Sequence, residues 1–301
     1  RWAGKGTGIP GSKKICESGL FRKQDERNEN YFTKTEKGEK DMNLDFNDYE
    51  AVRKQLFIKV SPVGKILHEQ KDAPYEKREN LAITAHVLLK QNEDYVASMA
   101  VTNPMLESFG VTKEQLFHDA SVNASAIFPA RITDMDKVMT ELCLDLILEE
   151  DKADMTKEEI QQILSDLGTI DMRDTKMIVV TNERKLDGAA AIFYPGVMEQ
   201  IGKQMEGNYY ILPSSIHETI VVPDDGTANC KELEEMVNEV NLKQVAPEER
   251  LANKVYHYDA ENKIFELAES FEKRMRNQKL SRGDHNRPEN RENKKHKGPS
   301  F

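Results

Sequence analysis

Residues 177–223 read MIVVTNERKLDGAAAIFYPGVMEQIGKQMEGNYYILPSSIHETIVVP, and this stretch decides the fold. It concentrates the β-branched and aromatic residues that favour strands. A hairpin turn is predicted at Leu186–Gly188, and a helix is predicted to begin near Pro195. The predicted strands are Met177–Thr181, Gly188–Phe193, Tyr209–Leu212 and Ile216–Val222. Two strand pairs around one helix indicate an antiparallel or mixed sheet rather than an alternating parallel fold.

The residues before this stretch predict several helices and one further strand pair. Asp48 is a candidate N-cap for a helix with apolar residues at helical spacing from Tyr49 to Phe57. Thr112 and Gln115 form a capping-box pattern that opens a helix to about Asn123. Leu81–Leu89 and Tyr95–Thr102 flank a turn at Gln91–Asp94 and predict an antiparallel pair. Two more helices are predicted at Met135–Leu148 and from Thr156 to Gly168.

The residues after Pro223 complete an α+β fold. A helix is predicted at Cys230–Val240, and Val255–Ala268 predicts a short hairpin or a strand leading into a helix. We therefore predict an antiparallel or mixed sheet covered by helices, with a disordered basic C-terminal tail at 273–301. Residues 42–272 form one domain, or two subdomains at 42–168 and 169–272. Residues 1–41 are a disordered or non-native leader.

Charge is distributed unevenly along the 301 residues, whose net charge is −10. Residues 42–272 carry a net charge of −20, whereas the segments before and after them carry +3 and +7. An acidic body repels nucleic acids and anionic membranes, so only the basic tail is a candidate for a nucleic-acid contact. Three widely spaced cysteines (Cys16, Cys143 and Cys230) match neither a disulfide framework nor a zinc site. A cytoplasmic protein without a membrane span is expected.

Pro213–Glu218 carries the most distinctive candidate chemistry. Ser214, Ser215, His217 and Glu218 place hydroxyls, an imidazole and a carboxylate within five positions. One hypothesis is a binding site made of these four residues. A second is a turn whose hydroxyls satisfy backbone groups. A third is a hydrolase in which Ser215 and His217 act with a carboxylate from another element, Asp187 or Asp259.

Other polar clusters are weaker candidates, and neither a cofactor nor a metal is predicted. The histidines His68, His86, His118 and His257 lack the short spacing of metal ligands on one element. The acidic run Asp145, Glu149, Glu150 and Asp151 lacks a glycine-centred calcium loop. Tyr194, Tyr209, Tyr210 and Phe193 are expected in the core. Gly4–Lys14 has glycines at the spacing of a phosphate loop, but its serine and lysine stand in reverse order.

The phrases GAAAIFYPGVMEQ, ILPSSIHE and VYHYD, with AVTNPMLESFGVTKEQL upstream, resemble an uncharacterised family of cytosolic proteins from anaerobic, largely gut-dwelling Clostridia-type bacteria. The resemblance extends over about Leu44–Glu269. The family is a domain of unknown function, so the resemblance implies a fold and no activity. It also implies a further N-terminal region rich in strands, which residues 1–41 do not match.

These observations favour a non-catalytic cytosolic binding or regulatory protein that contacts a partner, preferably a protein, through Pro213–Glu218. The alternatives are the hydrolase that uses Ser215 and His217, and an inactive remnant.

Overall fold

A computed structural model describes residues 44–283 of the chain except 47, 93–94, 142–175, 214 and 227. Several predictions therefore lie outside the described residues. They are the leader, the helix from Thr156 to Gly168, the acidic run from Asp145 to Asp151, Ser214 and the chain after 283. Residues 135–141 are helical, as predicted for the start of Met135–Leu148.

Helices and antiparallel strands alternate irregularly along the described chain, so the predicted α+β class is confirmed. The helices are α1 (Tyr49–Arg53), α2 (Val63–Glu69), α3 (Asn103–Phe109), α4 (Lys113–Ile127), α5 (Val197–Met205), α6 (Cys230–Lys243) and α7 (Ala268–Gly283), with a 3-10 helix at Gly188–Phe193. The strands are β1 (Leu56–Pro62), β2 (Tyr75–Arg78), β3 (Leu81–Gln91), β4 (Val96–Ala100), β5 (Ala130–Asp134), β6 (Ile178–Asn182), β7 (Tyr209–Leu212), β8 (Thr219–Pro223), β9 (Tyr256–Asp259) and β10 (Ile264–Leu267).

The strands form two antiparallel sheets. In the smaller sheet, β3 pairs with β1 along one edge and with β2 and β4 along the other. The larger sheet has the order β10-β9-β7-β8-β6-β5. One hydrophobic cluster contains residues of both sheets, including Ile58 of β1 and Ile211 of β7. The two sheets therefore share one continuous hydrophobic core.

Several local predictions agree with the structure. The predicted pair Leu81–Leu89 and Tyr95–Thr102 corresponds to β3 and β4, which pair antiparallel. Asp48 accepts a hydrogen bond from Glu50 N and caps α1. The VYHYD stretch forms a hairpin, β9–β10, and then leads into α7. These features depend on neighbouring residues, which is why the sequence pattern identifies them.

The structure corrects two predicted elements, the strand at Gly188–Phe193 and the helix that begins at Tyr49. Gly188–Phe193 is a 3-10 helix and not a strand, because β6 is already paired with β5 on one side and β8 on the other. The predicted hairpin at Leu186–Gly188 is therefore wrong. The helix that begins at Tyr49 ends at Arg53, and Phe57 belongs to β1, where its neighbour across the sheet is His86.

The last helix, α7, corrects the predicted tail boundary at Lys273. It runs to Gly283, and its Phe271 ring stacks on His257 with ring centroids 3.5 Å apart. Arg274 donates hydrogen bonds to Asp259 Oδ2 at 2.9 Å and Glu266 Oε1 at 2.6 Å. Residues 273–283 thus belong to the helix, and Arg274 is paired with the β9–β10 hairpin.

Replacing Thr112 by alanine is expected to lower the free energy of unfolding by about 1 kcal/mol. The Thr112 hydroxyl accepts a hydrogen bond from Gln115 N at 3.2 Å and so satisfies a free amide in the first turn of α4. Urea denaturation measures the change. Thr112→Ser keeps the oxygen and should differ little from the wild type, so equal losses in both variants would contradict a capping role.

Candidate functional site

The junction loop, which we define as residues 213–218, connects the antiparallel strands β7 and β8. The first paired residue of β8 opposite Leu212 is Ile220, so the strand predicted to begin at Ile216 begins later. Two backbone hydrogen bonds hold the loop at Ile216. Its N–H donates to Glu249 O at 2.8 Å, and its carbonyl accepts from Ala189 N at 3.1 Å. The loop is thereby held between the 3-10 helix and the turn that contains Glu249.

Ser215 stabilises the turn of the junction loop. Its side-chain oxygen accepts a hydrogen bond from His217 N at 3.0 Å, and the residue is only 1% exposed. A short side-chain oxygen that accepts from the amide two residues later is a common turn device. The second candidate hydroxyl, that of Ser214, lies outside the described residues.

The imidazole of His217 has a contact on each ring nitrogen. Nδ1 accepts a hydrogen bond from Asp187 N at 3.1 Å, and Nε2 lies 3.4 Å from Glu249 Oε1. Because Nδ1 accepts, the neutral ring carries its proton on Nε2 and directs it at the carboxylate. The ring is therefore fixed in one tautomer by the backbone of one loop and the side chain of another.

The carboxylates expected beside His217 have other partners. Asp187 Oδ2 lies 2.7 Å from Lys59 Nζ, so the side chain of Asp187 forms an ion pair with β1 while its backbone N–H holds the imidazole. Asp259 is hydrogen-bonded to Asn262 and Arg274 on the far side of the larger sheet. The residue that faces the imidazole is Glu249, which no pattern near His217 indicates.

Glu218 is the most unusual group of the junction loop. It is 8% exposed, and its Oε1 atom has no hydrogen-bond partner. Burial raises the pKa of Glu218 to about 8; Lys185 opposes this increase and the nearby Glu249 adds to it. A carboxyl group removed from water without compensating partners favours its neutral form, because the charged form loses its hydration.

Glu218→Gln is expected to stabilise the protein at pH 8 by on the order of 3 kcal/mol and to have much less effect at pH 5. The pKa of Glu218 is raised in the folded state, so the folded protein holds this proton more tightly than the unfolded chain. Wild-type stability therefore falls as the pH rises from about 4.5 to about 8. Glutamine keeps the shape of the side chain and does not titrate. Unfolding by urea at both pH values measures the difference.

Glu248→Gln is the matched control, because Glu248 lies on the same turn as Glu249 but is exposed. It should change the free energy of unfolding by less than about 0.5 kcal/mol at either pH. Parallel pH profiles for the wild type and Glu218→Gln would show that Glu218 titrates normally and would contradict the prediction.

Gly188 allows the loops at this place to approach each other closely. A Cβ atom there would lie 2.1 Å from Thr181 Oγ1 and 2.5 Å from His217 O. Those two groups are themselves joined, since the Thr181 hydroxyl donates to His217 O at 2.7 Å. The end of β6, the 3-10 helix and the junction loop are thus in direct contact, and the contact requires a residue without a side chain.

A second group of polar residues lies beside the junction on the smaller sheet. His86 is buried, its Nε2 is 3.0 Å from Thr84 Oγ1, and its Nδ1 has no hydrogen-bond partner. Burial lowers the pKa of His86 to about 3, with a further decrease from Lys59. A depression nearby, lined in part by Phe57, Tyr194 and Asp187, has a cavity volume of only about 10 Å³. Small-molecule pockets typically have roughly 300–1,000 Å³, so this depression has room for a water molecule and not for such a ligand.

The remaining candidates do not come together with the junction loop. His68 and His118 are exposed, whereas His257 is fully buried with its Nε2 3.0 Å from Asp224 Oδ2. Tyr194, Tyr209 and Tyr210 are buried, as predicted for core residues. Within the described ranges, no group of three or more His, Cys, Asp or Glu residues is arranged to hold a metal ion. No helix in the described part of the chain is long and apolar enough to cross a membrane.

Comparison with known proteins identifies a family but no characterised relative. A family model described as a family of unknown function, DUF5688, matches residues 26–260, which is most of the chain. No curated protein and no solved structure matches this chain. The match covers the 3-10 helix, the junction loop and Glu249, so the site described above lies inside the shared region. The chain therefore belongs to the family of unknown function DUF5688.

Proposed function

We propose that the protein is a non-catalytic cytosolic binding protein that engages a protein partner at the junction loop and the residues beside it. The observation that carries this proposal is that the polar groups of the junction loop hold the loop in one shape. The Ser215 hydroxyl and both ring nitrogens of His217 contact backbone or side-chain groups of the protein itself. They fix the shape of the loop, and a surface that is already ordered loses less conformational entropy when it binds.

The exposed rim of the loop offers mixed charge to a partner. Lys185 is about half exposed at its side chain, and Asp187 and Lys59 are partly exposed beside it. His217 contributes a smaller exposed area, with 17% of its side chain accessible. Protein interfaces commonly have a polar, solvent-accessible rim around a buried centre. The charged side chains beside the junction loop match such a rim.

The geometry gives less support to the hydrolase alternative. A serine nucleophile must lie within hydrogen-bond reach of its base and must face an open pocket. Ser215 Oγ accepts from the backbone N–H of His217, the residue is buried, and the imidazole is directed at Asp187 N and Glu249 instead. We therefore expect no labelling of Ser215 by a fluorophosphonate probe, which mass spectrometry can check.

Site-specific photo-cross-linking tests the binding proposal. A photoreactive amino acid is placed at Lys185, beside the junction loop, and separately at Lys263, at the tip of the β9–β10 hairpin. Lys185 follows β6 and Lys263 follows β9, and β7 and β8 lie between these two strands in the larger sheet. In extracts of the cells that make the protein, we expect a discrete cross-linked partner from position 185 and none from position 263.

The control is the same cross-linker in a chain that carries Ser215→Ala and His217→Ala. These changes remove the contacts that order the loop, so the cross-link should be lost while circular dichroism still reports a folded protein. A second control removes the basic tail by ending the chain after Gly283. The chain is not cut after Glu272, because it would then lose Arg274 and its hydrogen bond to Asp259. An absence of specific cross-linking at position 185 would overturn the proposal and favour an inactive remnant or an enzyme acting on small molecules.

A further inference from the structure

The junction loop contains a hydrogen-bond acceptor that the protein leaves without a donor. Glu218 Oε1 is buried, and the described residues provide it with no hydrogen-bond partner. Buried polar atoms in folded proteins are nearly always paired, because an unpaired one loses its hydrogen bonds to water without a replacement. The junction loop is bonded to β6, to the 3-10 helix and to the turn that contains Glu249. An unpaired oxygen in so well ordered a loop indicates that Glu218 accepts a hydrogen bond from a donor outside the chain.

The charges around Glu218 favour a cationic donor. Glu249 adds a second carboxylate next to Glu218, and its Oε1 atom faces the imidazole of His217. Lys185 is the cation whose charge acts on Glu218, but its ammonium lies 3.7 Å from Glu141 Oε2. Glu218 and Glu249 are both buried, and the net charge of −20 over residues 42–272 attracts further positive charge.

We propose that the partner inserts a basic side chain, an arginine or a lysine, at the junction loop, and that its guanidinium or ammonium donates to Glu218 Oε1. This inference rests on the proposed function and specifies the chemistry of the partner. Arginine is the better fit, because its planar group presents several donors in a fixed geometry and matches a carboxylate better than an ammonium does. The orphan acceptor is then satisfied, and the cation replaces Lys185 as the nearest positive charge.

Insertion of the cation releases a proton. Burial raises the pKa of Glu218 to about 8, so in the free protein at neutral pH the carboxyl group holds its proton. A cation beside Glu218 favours the carboxylate, the carboxyl O–H bond breaks, and the proton passes to the buffer. Binding and deprotonation are therefore linked, and affinity should fall about tenfold for each pH unit below the pKa of Glu218.

A nuclear magnetic resonance titration tests the proposal with defined probes. The full chain, labelled with ¹⁵N and ¹³C, is titrated with the peptide acetyl-Ala-Arg-Ala-amide, and with the same peptide carrying citrulline as the uncharged control. We expect the arginine peptide alone to shift the amide signals of Ser215–Glu218 and to move the Glu218 carboxyl ¹³C signal to its ionised position. Between pH 7 and pH 6 its affinity should weaken about tenfold.

Glu218→Gln separates this role from a purely structural one. The variant keeps the side-chain shape and cannot ionise, so it should lose the pH dependence and bind the arginine peptide at least about tenfold more weakly. The inference is overturned if arginine and citrulline peptides act alike, if neither acts, or if the variant binds as the wild type does. If a partner is cross-linked at position 185 and any of these results is obtained, the binding proposal stands. Only the inference that the partner places a cation at Glu218 is then rejected. Arginine-peptide binding without a cross-linked protein would contradict the protein partner and leave the cation site in place.

Discussion

Gly188→Ala is expected to cost at least about 3 kcal/mol of unfolding free energy, which for a marginally stable protein approaches complete unfolding. The backbone at Gly188 does not need the left-handed region, so the cost is steric. A methyl group there would lie 2.1 Å from Thr181 Oγ1, 2.5 Å from His217 O and 2.7 Å from Asn182 N. Two of these atoms belong to the backbone and cannot rotate away. Urea unfolding monitored by circular dichroism measures the loss.

Gly64→Ala is the matched control. Gly64 lies in α2, and a Cβ there would have no atom within 4 Å, so alanine should be neutral or stabilising by up to about 1 kcal/mol. A second variant, Gly188→Ala with Thr181→Ala, removes the nearest side-chain oxygen but neither backbone atom. It should remain as unstable as the single variant. Recovery of stability in this double variant would contradict the close contact with the backbone.

Tyr256→Ala is expected to reduce the free energy of unfolding by about 4 kcal/mol. Tyr256 is 1% exposed in β9 and belongs to the core that both sheets share. Its ring stacks on Phe265 with centroids 5.0 Å apart, and its hydroxyl donates to Asn80 Oδ1 at 2.6 Å. Alanine removes the ring from the core and the hydrogen bond from the β2–β3 turn. Amide hydrogen exchange should therefore accelerate in β3 as well as in β9.

Tyr256→Phe separates the ring from its hydroxyl. It keeps the packing and loses one hydrogen bond to the exposed side chain of Asn80, so the expected cost is about 1 kcal/mol or less. Equal losses for phenylalanine and alanine would show that the hydroxyl rather than the ring holds the sheets together. Faster exchange limited to β9 would show that the two sheets open independently.

The parts of the fold that the sequence predicts are those with local causes. The cap at Thr112 and the pair β3–β4 depend on residues a few positions apart, and both agree with the structure. The sequence pattern predicts Gly188–Phe193 as the second strand of a hairpin that turns at Leu186–Gly188. Its partner edge on β6 is occupied by strands from elsewhere in the chain, which no local pattern shows. Three consecutive alanines at 189–191 favour a helical turn, because alanine has the highest helix propensity.

The same limit applies to the candidate site. The turn role of Ser215 depends on residues two positions apart, so the sequence predicts it. Glu249 lies 32 positions after His217. Lys59 lies in the smaller sheet, whereas Asp187 precedes the 3-10 helix that follows β6. Each contact exists only because the core brings distant loops together. Burial of Glu218 has the same origin, so its raised pKa cannot be inferred from the order of the residues.

The packing of α7 on β9 has a consequence for synthesis on the ribosome. His257 is completely buried, and the ring stacked on it belongs to Phe271, fourteen residues later in the chain. At about 5 to 20 residues per second, the imidazole and the sheet face around it wait roughly one to three seconds for their cover to be made. During that interval the nascent chain exposes an apolar surface, and chaperones that recognise such surfaces have their best opportunity to bind before the last helix closes it.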